Sequence, residues 1–372
     1  MKRILNALGK RNWGKRAYAV FALCATTAIA LPAQTFTTLF TFDYTDGQNP
    51  QAALVQGTDG NLYGTTMWGG ANGDGTLFRI TPGTLTTLHS FAGYPVDGST
   101  PLAGLVQAIN GDLYGTTEHG GANCADKYGC GTVFEITPSG TLTTLYSFAG
   151  SPTDGALPSA TLVQAANGDF YGTTEYGGAH KNCNTAGCGT IFKITPSGRQ
   201  TTLYSFCAQS GCPDGALPYA GLVQATSGDF YGTTPNGGFG ADYGYGTIFE
   251  ITPGGTLTTL YRFCSQSSCP DGANPVGGLV QATNGYLYGT TAWGGAYGYG
   301  TVFKITPSGI LTTLYSFCSQ GSIYCTDGAN PFAGLVQAND GNLYGVTNNG
   351  GTYGAQAASA VAPSSKSSRL AR

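Results

Sequence analysis

Six pairs of adjacent residues hold most of the side chains that could bind a ligand or carry out acid–base chemistry. Each pair follows a copy of the phrase LYGTT, FYGTT or LYGVT, and the pairs differ from copy to copy: Met67-Trp68, Glu118-His119, Glu175-Tyr176, Pro235-Asn236, Ala292-Trp293 and Asn348-Asn349. Residues that vary at one place of a constant frame are typical of a binding site built on loops. Loops that vary without any function are the alternative.

Aromatic residues are frequent at the second place of these pairs and farther along the same loops. Aromatic rings on a rigid frame offer flat apolar contact at low entropic cost, while Asn, Thr and Glu can bond hydroxyl groups. The sequence therefore predicts a site for an extracellular glycan or a cell-surface protein. Its candidate residues are Trp68, Glu118, His119, Glu175, Tyr176 and Trp293, with Tyr243, Tyr245, Tyr297 and Tyr299 farther along the loops.

Glu118, His119 and Glu175 are also the residues that could carry catalysis. Glycoside hydrolysis requires two carboxyl groups that face one substrate, so a carbohydrate-active enzyme, of hydrolase or lyase type, is one alternative. A nucleophilic triad needs a His beside a Ser or Cys, and the cysteines are better explained as disulfides. We expect a binding protein that is not an enzyme and uses no cofactor. A purely structural cell-surface module is the second alternative.

The repeated phrase recurs with a period that predicts a β-propeller. Its tyrosines, from Tyr63 to Tyr344, are separated by 51, 57, 60, 57 and 56 residues, and such a period is typical of propellers or solenoids. The second repeat contains four β-like runs, GLVQA, DLYGTT, GTVFEIT and TLTTLYSF, with Asn110-Gly111 as a tight hairpin turn. We predict an all-β, six-bladed β-propeller of four-stranded antiparallel blades. A β-solenoid, whose coils are usually shorter, is the competing architecture.

The series LYGTT, GG, GTVFKITPSG and LTTLYSF resembles the GloVer (Gloeo/Verruco) tandem-repeat family of exported bacterial β-propeller-like proteins. The resemblance covers nearly all of the chain from Thr35 to Gly354. It implies export and a repeat architecture, but it implies no catalytic residue. Family members often end in a sorting or anchoring segment, whereas this chain ends in AQAASAVAPSSKSSRLAR, which contains no membrane-spanning stretch.

The N-terminal residues have the pattern of a secretory signal peptide. A basic start is followed by an apolar run and by small residues at Ala30 and Ala33. The apolar run is shorter than the roughly 20 residues that span a bilayer, so a membrane anchor is the weaker interpretation. We predict a signal peptide at 1–33, a propeller at 34–354 and a disordered or atypical tail at 355–372. The mature protein is expected to be a monomer that is secreted to the periplasm or the cell exterior.

The charge distribution argues against nucleic acid as a partner. The formal net charge is −3, but nine of the 16 basic residues lie in the leader and the tail. Between Gln34 and Gly354, the remaining seven basic residues face all 19 acidic ones, a net charge of −12. So few Lys and Arg side chains cannot form a stripe that neutralises phosphates.

Ten cysteines remain once the leader, with Cys24, is removed, and they form five close pairs. An even number, local spacing and an export signal together predict disulfides. The predicted bonds are Cys124–Cys130, Cys183–Cys188, Cys207–Cys212, Cys264–Cys269 and Cys318–Cys325. A structural zinc site usually needs two such pairs brought together, often with His, and the sequence contains only three His. We therefore predict no metal site.

The two long connections of each repeat should lie on one face of the ring, because the two tight turns of a four-stranded meander lie on the other. One of these connections always contains Asp-Gly, with Asp46, Asp97, Asp154, Asp214, Asp271 and Asp327 as the aspartates. An Asp at such a place commonly caps its own turn by accepting backbone N–H bonds. Calcium, which binds several oxygen ligands, is the alternative.

The sixth repeat lacks its third and fourth strand phrases. The N-terminal phrase TFTTLFTF, residues 35–42, matches the fourth-strand phrase TLTTLYSF, so it is expected to complete blade six and remove an exposed edge. The third-strand phrase is missing near Ala355. Either the Ala-rich tail substitutes poorly for it, or the chain is truncated or frame-shifted there. We predict that blade six is incomplete and the weakest.

Overall fold

The computed structural model describes residues 37–124, 126–183, 185–239, 244–320 and 325–351. The chain divides into two compact units, Met1–Thr41 and Phe42–Arg372. Of the first unit, residues 37–41 are described, and they have no regular secondary structure. The predicted signal peptide and tail lie outside the described residues, so the boundaries at 33 and 354 stay predictions. Within the described ranges, no helix has the length and hydropathy needed to cross a bilayer.

The second unit is all-β and forms the blades of a β-propeller, as the sequence predicts. Five sheets contain four antiparallel strands each, and the order of the strands in the sheet follows their order in the chain. Blade one contains β1 (Val55–Gln56), β2 (Leu62–Thr66), β3 (Thr76–Thr81) and β4 (Thr84–Ser90), and blade two contains β6 (Val106–Gln107), β7 (Leu113–Thr117), β9 (Thr132–Ile136) and β10 (Leu142–Ser147). Blade three contains β12 (Val163–Gln164), β13 (Phe170–Thr174), β15 (Thr190–Ile194) and β16 (Gln200–Ser205), and blade four contains β17 (Val223–Gln224), β18 (Phe230–Thr234), β19 (Thr247–Ile251) and β20 (Leu257–Arg262). Blade five contains β21 (Val280–Gln281), β22 (Leu287–Thr291), β23 (Thr301–Ile305) and β24 (Leu311–Ser316).

Local sequence explains the register within a blade. The turn at Asn110-Gly111 closes with a bond from Gly111 N to Ala108 O, and the φ angle of 90° at Gly111 is one that glycine adopts readily. The next pairing sets Gly115 opposite Phe134. A Cβ atom on Gly115 would lie 2.5 Å from the Phe134 ring. The glycine of LYGTT is therefore required because an aromatic ring from the third strand fills its space.

Consecutive blades pack through repeated contacts. Tyr114 stacks on Phe170 of the next blade with a centroid distance of 4.2 Å, and Tyr171 stacks on Phe230 at 4.1 Å. The first Thr of LYGTT also donates its Oγ1 to a backbone carbonyl of the following blade. These bonds are Thr65 to Ala103, Thr116 to Ala160, Thr173 to Ala220, Thr233 to Gly277 and Thr290 to Ala333. The constant phrase therefore builds the contacts within and between blades.

The sixth sheet has two described strands, β25 (Val336–Gln337) and β26 (Leu343–Tyr344). The residues that follow Gly351 lie outside the described ranges, so an incomplete last blade stays a prediction. The first blade is more exposed than the middle blades at one repeated position. Leu54 is 45% exposed, whereas the equivalent leucines of blades two to five are buried: Leu105, Leu162, Leu222 and Leu279.

Candidate functional site

The two long connections of each repeat meet on one face because hydrogen bonds join them. In blades two and three they form short antiparallel ladders, β5 (Gly98–Ser99) with β8 (His119–Gly120) and β11 (Gly155–Ala156) with β14 (Tyr176–Gly177). The other repeats have single bridges at the equivalent place: Gln48 with Trp68, Ala216 with Asn236, Ala273 with Trp293 and Ala329 with Asn349. The second residue of each variable pair is therefore held at one equivalent position in all six repeats.

The five disulfides stiffen this face. The structure contains the five pairings that the sequence predicts, each within one loop, with Cα–Cα distances from 4.1 to 5.7 Å. Cys124–Cys130 and Cys183–Cys188 close the loops that follow the variable pairs of blades two and three. Several disulfides in one domain are typical of a protein that leaves the cytosol.

The aspartates of the Asp-Gly motifs act as turn caps. Buried Asp154 accepts bonds from the Tyr146 hydroxyl and from the backbone N–H groups of Ala149 and Gly150. The other five also accept backbone N–H bonds in their own loops: Asp46, Asp97, Asp214, Asp271 and Asp327. In the part of the chain that the structure describes, no three His, Cys, Asp or Glu side chains are grouped to hold a metal ion.

A first cleft lies between the long loops of blades one and two. Its volume is about 490 Å³, and Trp68, Tyr94, His119 and Tyr128 contribute aromatic rings to its walls. Asp74, Ser99, Thr100 and Lys127 add polar groups. Asp74 is held in place because the Ser99 hydroxyl donates to its Oδ1 over 2.7 Å. The cleft therefore combines flat apolar walls with fixed hydrogen-bonding groups.

A second cleft, of about 510 Å³, lies between the loops of blades two and three and shares two walls with the first. His119 and Tyr128 line both clefts, and Tyr176 supplies an aromatic wall to the second. The His119 and Tyr128 rings meet edge to face, with centroids 6.3 Å apart. Lys127 places its Nζ 4.6 Å from the centre of the Tyr128 ring. The Cys124–Cys130 disulfide, which brackets Tyr128, is itself part of the second cleft wall.

In blades two and three, the second residue of each variable pair lines a cleft, whereas the first residue does not. Glu118 and Glu175 line neither cleft. Burial, with a smaller contribution from the charge of Glu175, raises the pKa of Glu118 to about 7. Burial also raises the pKa of Glu175. The pKa of Tyr219 is raised by burial first, and then by the negative charges of Glu118 and Glu175. Two acidic groups from neighbouring blades are therefore brought within electrostatic range of each other.

His119 lines both clefts and also lies close to the carboxyl group of Glu118. Its Nδ1 lies 3.7 Å from Glu118 Oε2. Because burial lowers the pKa of His119, the imidazole is neutral at pH 7. A neutral ring can offer a hydrogen bond and an apolar face to a ligand without bringing a buried charge.

We expect Glu118→Gln to stabilise the protein above pH 7. The folded state holds the pKa of Glu118 at about 7, above the usual 4.5, so its contribution to stability is complete below pH 4.5 and is lost as the pH rises through 7. Gln cannot ionise, and the variant should exceed the parent by on the order of 1 kcal/mol at pH 8 and match it at pH 4. Urea unfolding at both pH values measures this difference; an equal difference at the two pH values would contradict it.

The structure brings together some of the sequence-predicted site residues and separates others. Trp68, His119 and Tyr176 surround the adjacent clefts, whereas Trp293 belongs to blade five, is 48% exposed and lines neither cleft. Tyr245, Tyr297 and Tyr299 are also exposed on blades four and five, and Tyr243 lies outside the described residues.

Several wall residues were not singled out from the sequence, notably Asp74, Tyr94 and Tyr128. For Tyr128 the usable signal was loop length, because the segment between Gly-Gly and the third strand is longest in repeats two and three. Insertions on a repeat frame often carry the binding surface.

Two proteins of known structure are similar to this chain, and the first of them supports the fold. A Bacteroides uniformis protein assigned as a 6-phosphogluconolactonase is 16% identical, with 80% of this chain and 78% of that chain covered at a TM-score of 0.51. The extracellular domain of a protein assigned as a hybrid two-component system in B. thetaiotaomicron is 12% identical, with 80% and 32% covered at a TM-score of 0.48. At 16% identity, the first similarity indicates a shared fold and does not extend to activity. The comparison with curated proteins gives no match.

The sequence profile of the Gloeobacter/Verrucomicrobia repeat matches residues 25–238 and 183–370. The two matches overlap and together span most of the chain, including every described blade. This agrees with the resemblance seen in the repeated phrases. The chain belongs to the Gloeobacter/Verrucomicrobia repeat family.

Proposed function

We propose that this protein is an exported binding scaffold that holds an extracellular glycan, or a glycan-bearing cell-surface partner, across the two clefts. The observation that carries the proposal is the wall that both clefts share, formed by His119 and Tyr128, with Trp68 on one side and Tyr176 on the other. Two adjacent clefts with a common wall suit consecutive units of one chain-like ligand.

The chemistry of the walls favours a carbohydrate. Sugar rings have an apolar face that packs on aromatic side chains and a rim of hydroxyl groups that need hydrogen-bond partners. Trp68 and Tyr128 are 39% and 59% exposed and offer ring surface, while Asp74 and Asp126 offer carboxylates. The acidic body of the protein, with a net charge of −12 between Gln34 and Gly354, favours neutral or basic glycans over sulfated ones.

A glycan array probed with the purified mature protein, followed by calorimetry on the strongest ligand, tests the proposal. We expect Trp68→Ala and Tyr176→Ala each to weaken binding of the same oligosaccharide by about 30-fold, the effect of losing an aromatic anchor worth about 2 kcal/mol. Trp293→Ala is the matched control, because Trp293 has the equivalent position in blade five but lines neither cleft. Its affinity should stay within about twofold of the parent.

Three results would contradict this proposal: no binding on the array, binding that survives both cleft substitutions, or an equal loss with Trp293→Ala. Absence of all binding would favour a purely structural module.

A carbohydrate-active enzyme is the second candidate function, and the pairing of Glu118 with Glu175 favours it. A carboxyl group with a pKa of about 7 can act as a general acid near neutral pH. Neither carboxylate lines the clefts, however, so we rank binding first. Release of reducing ends from a bound polysaccharide, abolished by Glu118→Gln or Glu175→Gln, would establish catalysis instead.

A further inference from the structure

One buried nitrogen in the wall that both clefts share lacks a hydrogen-bond partner. Among the residues that the structure describes, no group bonds to the buried Nδ1 of His119. Glu118 Oε2 lies 3.7 Å from this nitrogen, just beyond hydrogen-bond distance. Because an unpaired buried polar atom destabilises the folded state, we expect the Glu118 carboxyl group to close this gap and bond to Nδ1.

The backbone around the two residues is fixed. The Glu118 N–H donates to Thr100 O, and His119 pairs with Ser99 in the ladder of β5 with β8. The Thr117 hydroxyl donates to His119 O over 2.8 Å. Rotation of the two side chains is therefore sufficient to bring Oε2 and Nδ1 together, and the imidazole ring stays in the cleft wall.

Glu118 changes its charge near neutral pH, whereas the hydroxyl groups beside it do not. Burial first, and then the charge of Glu175, raise the pKa of Glu118 to about 7. Burial also raises the pKa of Glu175. The hydroxyl groups of Tyr176 and Tyr219 stay protonated, because burial first and then the negative charges of the two carboxylates raise their pKa values.

The His119 ring is neutral at pH 7, so its two nitrogens have different roles. Burial lowers the pKa of His119, and the negative charge of Asp126 only partly opposes this shift. A neutral imidazole has one nitrogen that donates and one that accepts, so the bond at Nδ1 decides the role of Nε2. The other charged or titratable groups that line the clefts with His119 are Asp74, Tyr94, Asp126, Lys127, Tyr128 and Tyr176.

We propose that Glu118 is a positioning residue that decides which nitrogen of His119 carries the proton, and thereby whether the shared wall offers a ligand an acceptor or a donor. The carboxylate form accepts a bond from Nδ1–H and leaves the lone pair of Nε2 for the ligand. When Glu118 takes up a proton from solvent, its O–H donates to Nδ1, and the ring proton moves through solvent to Nε2. The effect on a ligand rests on the proposed function.

The acceptor form should bind a hydroxyl-rich ligand more tightly. A hydrogen bond with an ionised partner is stronger than a neutral one, and successive bonds in a chain polarise one another. The Glu118 carboxylate therefore makes Nε2 a better acceptor for a sugar hydroxyl. Affinity should increase as the pH rises through 7, although Glu118 itself lines neither cleft.

Nitrogen NMR of the ligand-free mature protein, labelled at the imidazole nitrogens of its histidines, tests the first half of the proposal. In the parent, the proton of His119 should lie mainly on Nε2 at pH 6.5 and on Nδ1 at pH 8. Glu118→Gln should abolish this change. The signals of His89 and His180 provide internal controls and should be the same in both proteins, because neither ring lines the clefts. One tautomer at both pH values in the parent, or a change that persists in the variant, would overturn the proposal.

Calorimetry with the neutral oligosaccharide selected on the array tests the second half. The parent should bind it about threefold more tightly at pH 8 than at pH 6.5. The amide of Glu118→Gln can bond to Nδ1 at every pH, so its affinity should change by less than about 1.5-fold. Glu118→Ala leaves Nδ1 unpaired and should bind more weakly than Glu118→Gln at both pH values. Glu175→Gln is the matched control, because Glu175 has the equivalent place in blade three, and it should keep the pH step.

The two measurements separate this proposal from the proposed function. Affinity of the parent that is equal at the two pH values, or a step of the same size in Glu118→Gln, would overturn the role of Glu118 even if the clefts bind a glycan. If no glycan binds, the proposed function is wrong, and the nitrogen spectra alone decide whether Glu118 sets the tautomer of His119.

Discussion

Phe192→Ala is expected to lower the free energy of unfolding by about 3–5 kcal/mol, the usual loss when a fully buried aromatic ring is truncated. Phe192 is 0% exposed and its ring fills the space beside Gly172, where a Cβ would lie 2.7 Å away. It also meets Phe148, at the end of the preceding blade, with a centroid distance of 5.1 Å. The substitution therefore removes contacts both within blade three and between blades two and three.

Denaturant unfolding followed by circular dichroism measures this loss. Phe332→Ala provides the control, since Phe332 is 41% exposed and its removal should change the free energy of unfolding by less than about 0.5 kcal/mol. A loss below about 1 kcal/mol for Phe192→Ala would mean that the aromatic ladder between blades does not hold the array together.

Asp154→Ala should destabilise the protein by about 3 kcal/mol. The substitution leaves the Tyr146 hydroxyl and the N–H groups of Ala149 and Gly150 without their acceptor in a buried turn, and each unsatisfied buried group costs about 1–3 kcal/mol. Asp154→Asn keeps one carbonyl oxygen and should lose about half as much. Thermal or denaturant unfolding of the three proteins provides the measurement.

The same variants separate turn capping from calcium binding. Asp46→Ala is the control, because Asp46 accepts the backbone N–H of Asp43 in an exposed turn and its loss should cost less than about 1 kcal/mol. Added calcium or a chelator should leave the stability of the parent unchanged. Stabilisation by calcium that Asp154→Ala abolishes would show that the carboxylate is a metal ligand.

The sequence by itself determined the features that depend on neighbouring residues. Turn dipeptides such as Asn110-Gly111 specify hairpins through the φ angles that glycine adopts, and the alternation within GTVFEIT specifies strands with two different faces. Cysteines five to seven residues apart pair locally, because closing a short loop has a low entropic cost. Each Asp-Gly caps the loop in which it stands, so its role was also predictable. Because these local signals recur in six repeats, the four-stranded blade could be predicted without a structure.

Only the tertiary structure decided which of the variable residues act together. Trp68, His119 and Trp293 have equivalent places in their own repeats, yet two of them share a cleft and the third does not. The difference arises from the long loops of blades one and two. Tyr94 and Tyr128 in these loops form walls of the first cleft, and the Cys124–Cys130 disulfide closes the loop that contains Tyr128. The approach of Glu118 to Glu175 likewise depends on how blade two packs against blade three. Such distances result from packing between segments more than fifty residues apart, and the repeat period carries no information about them.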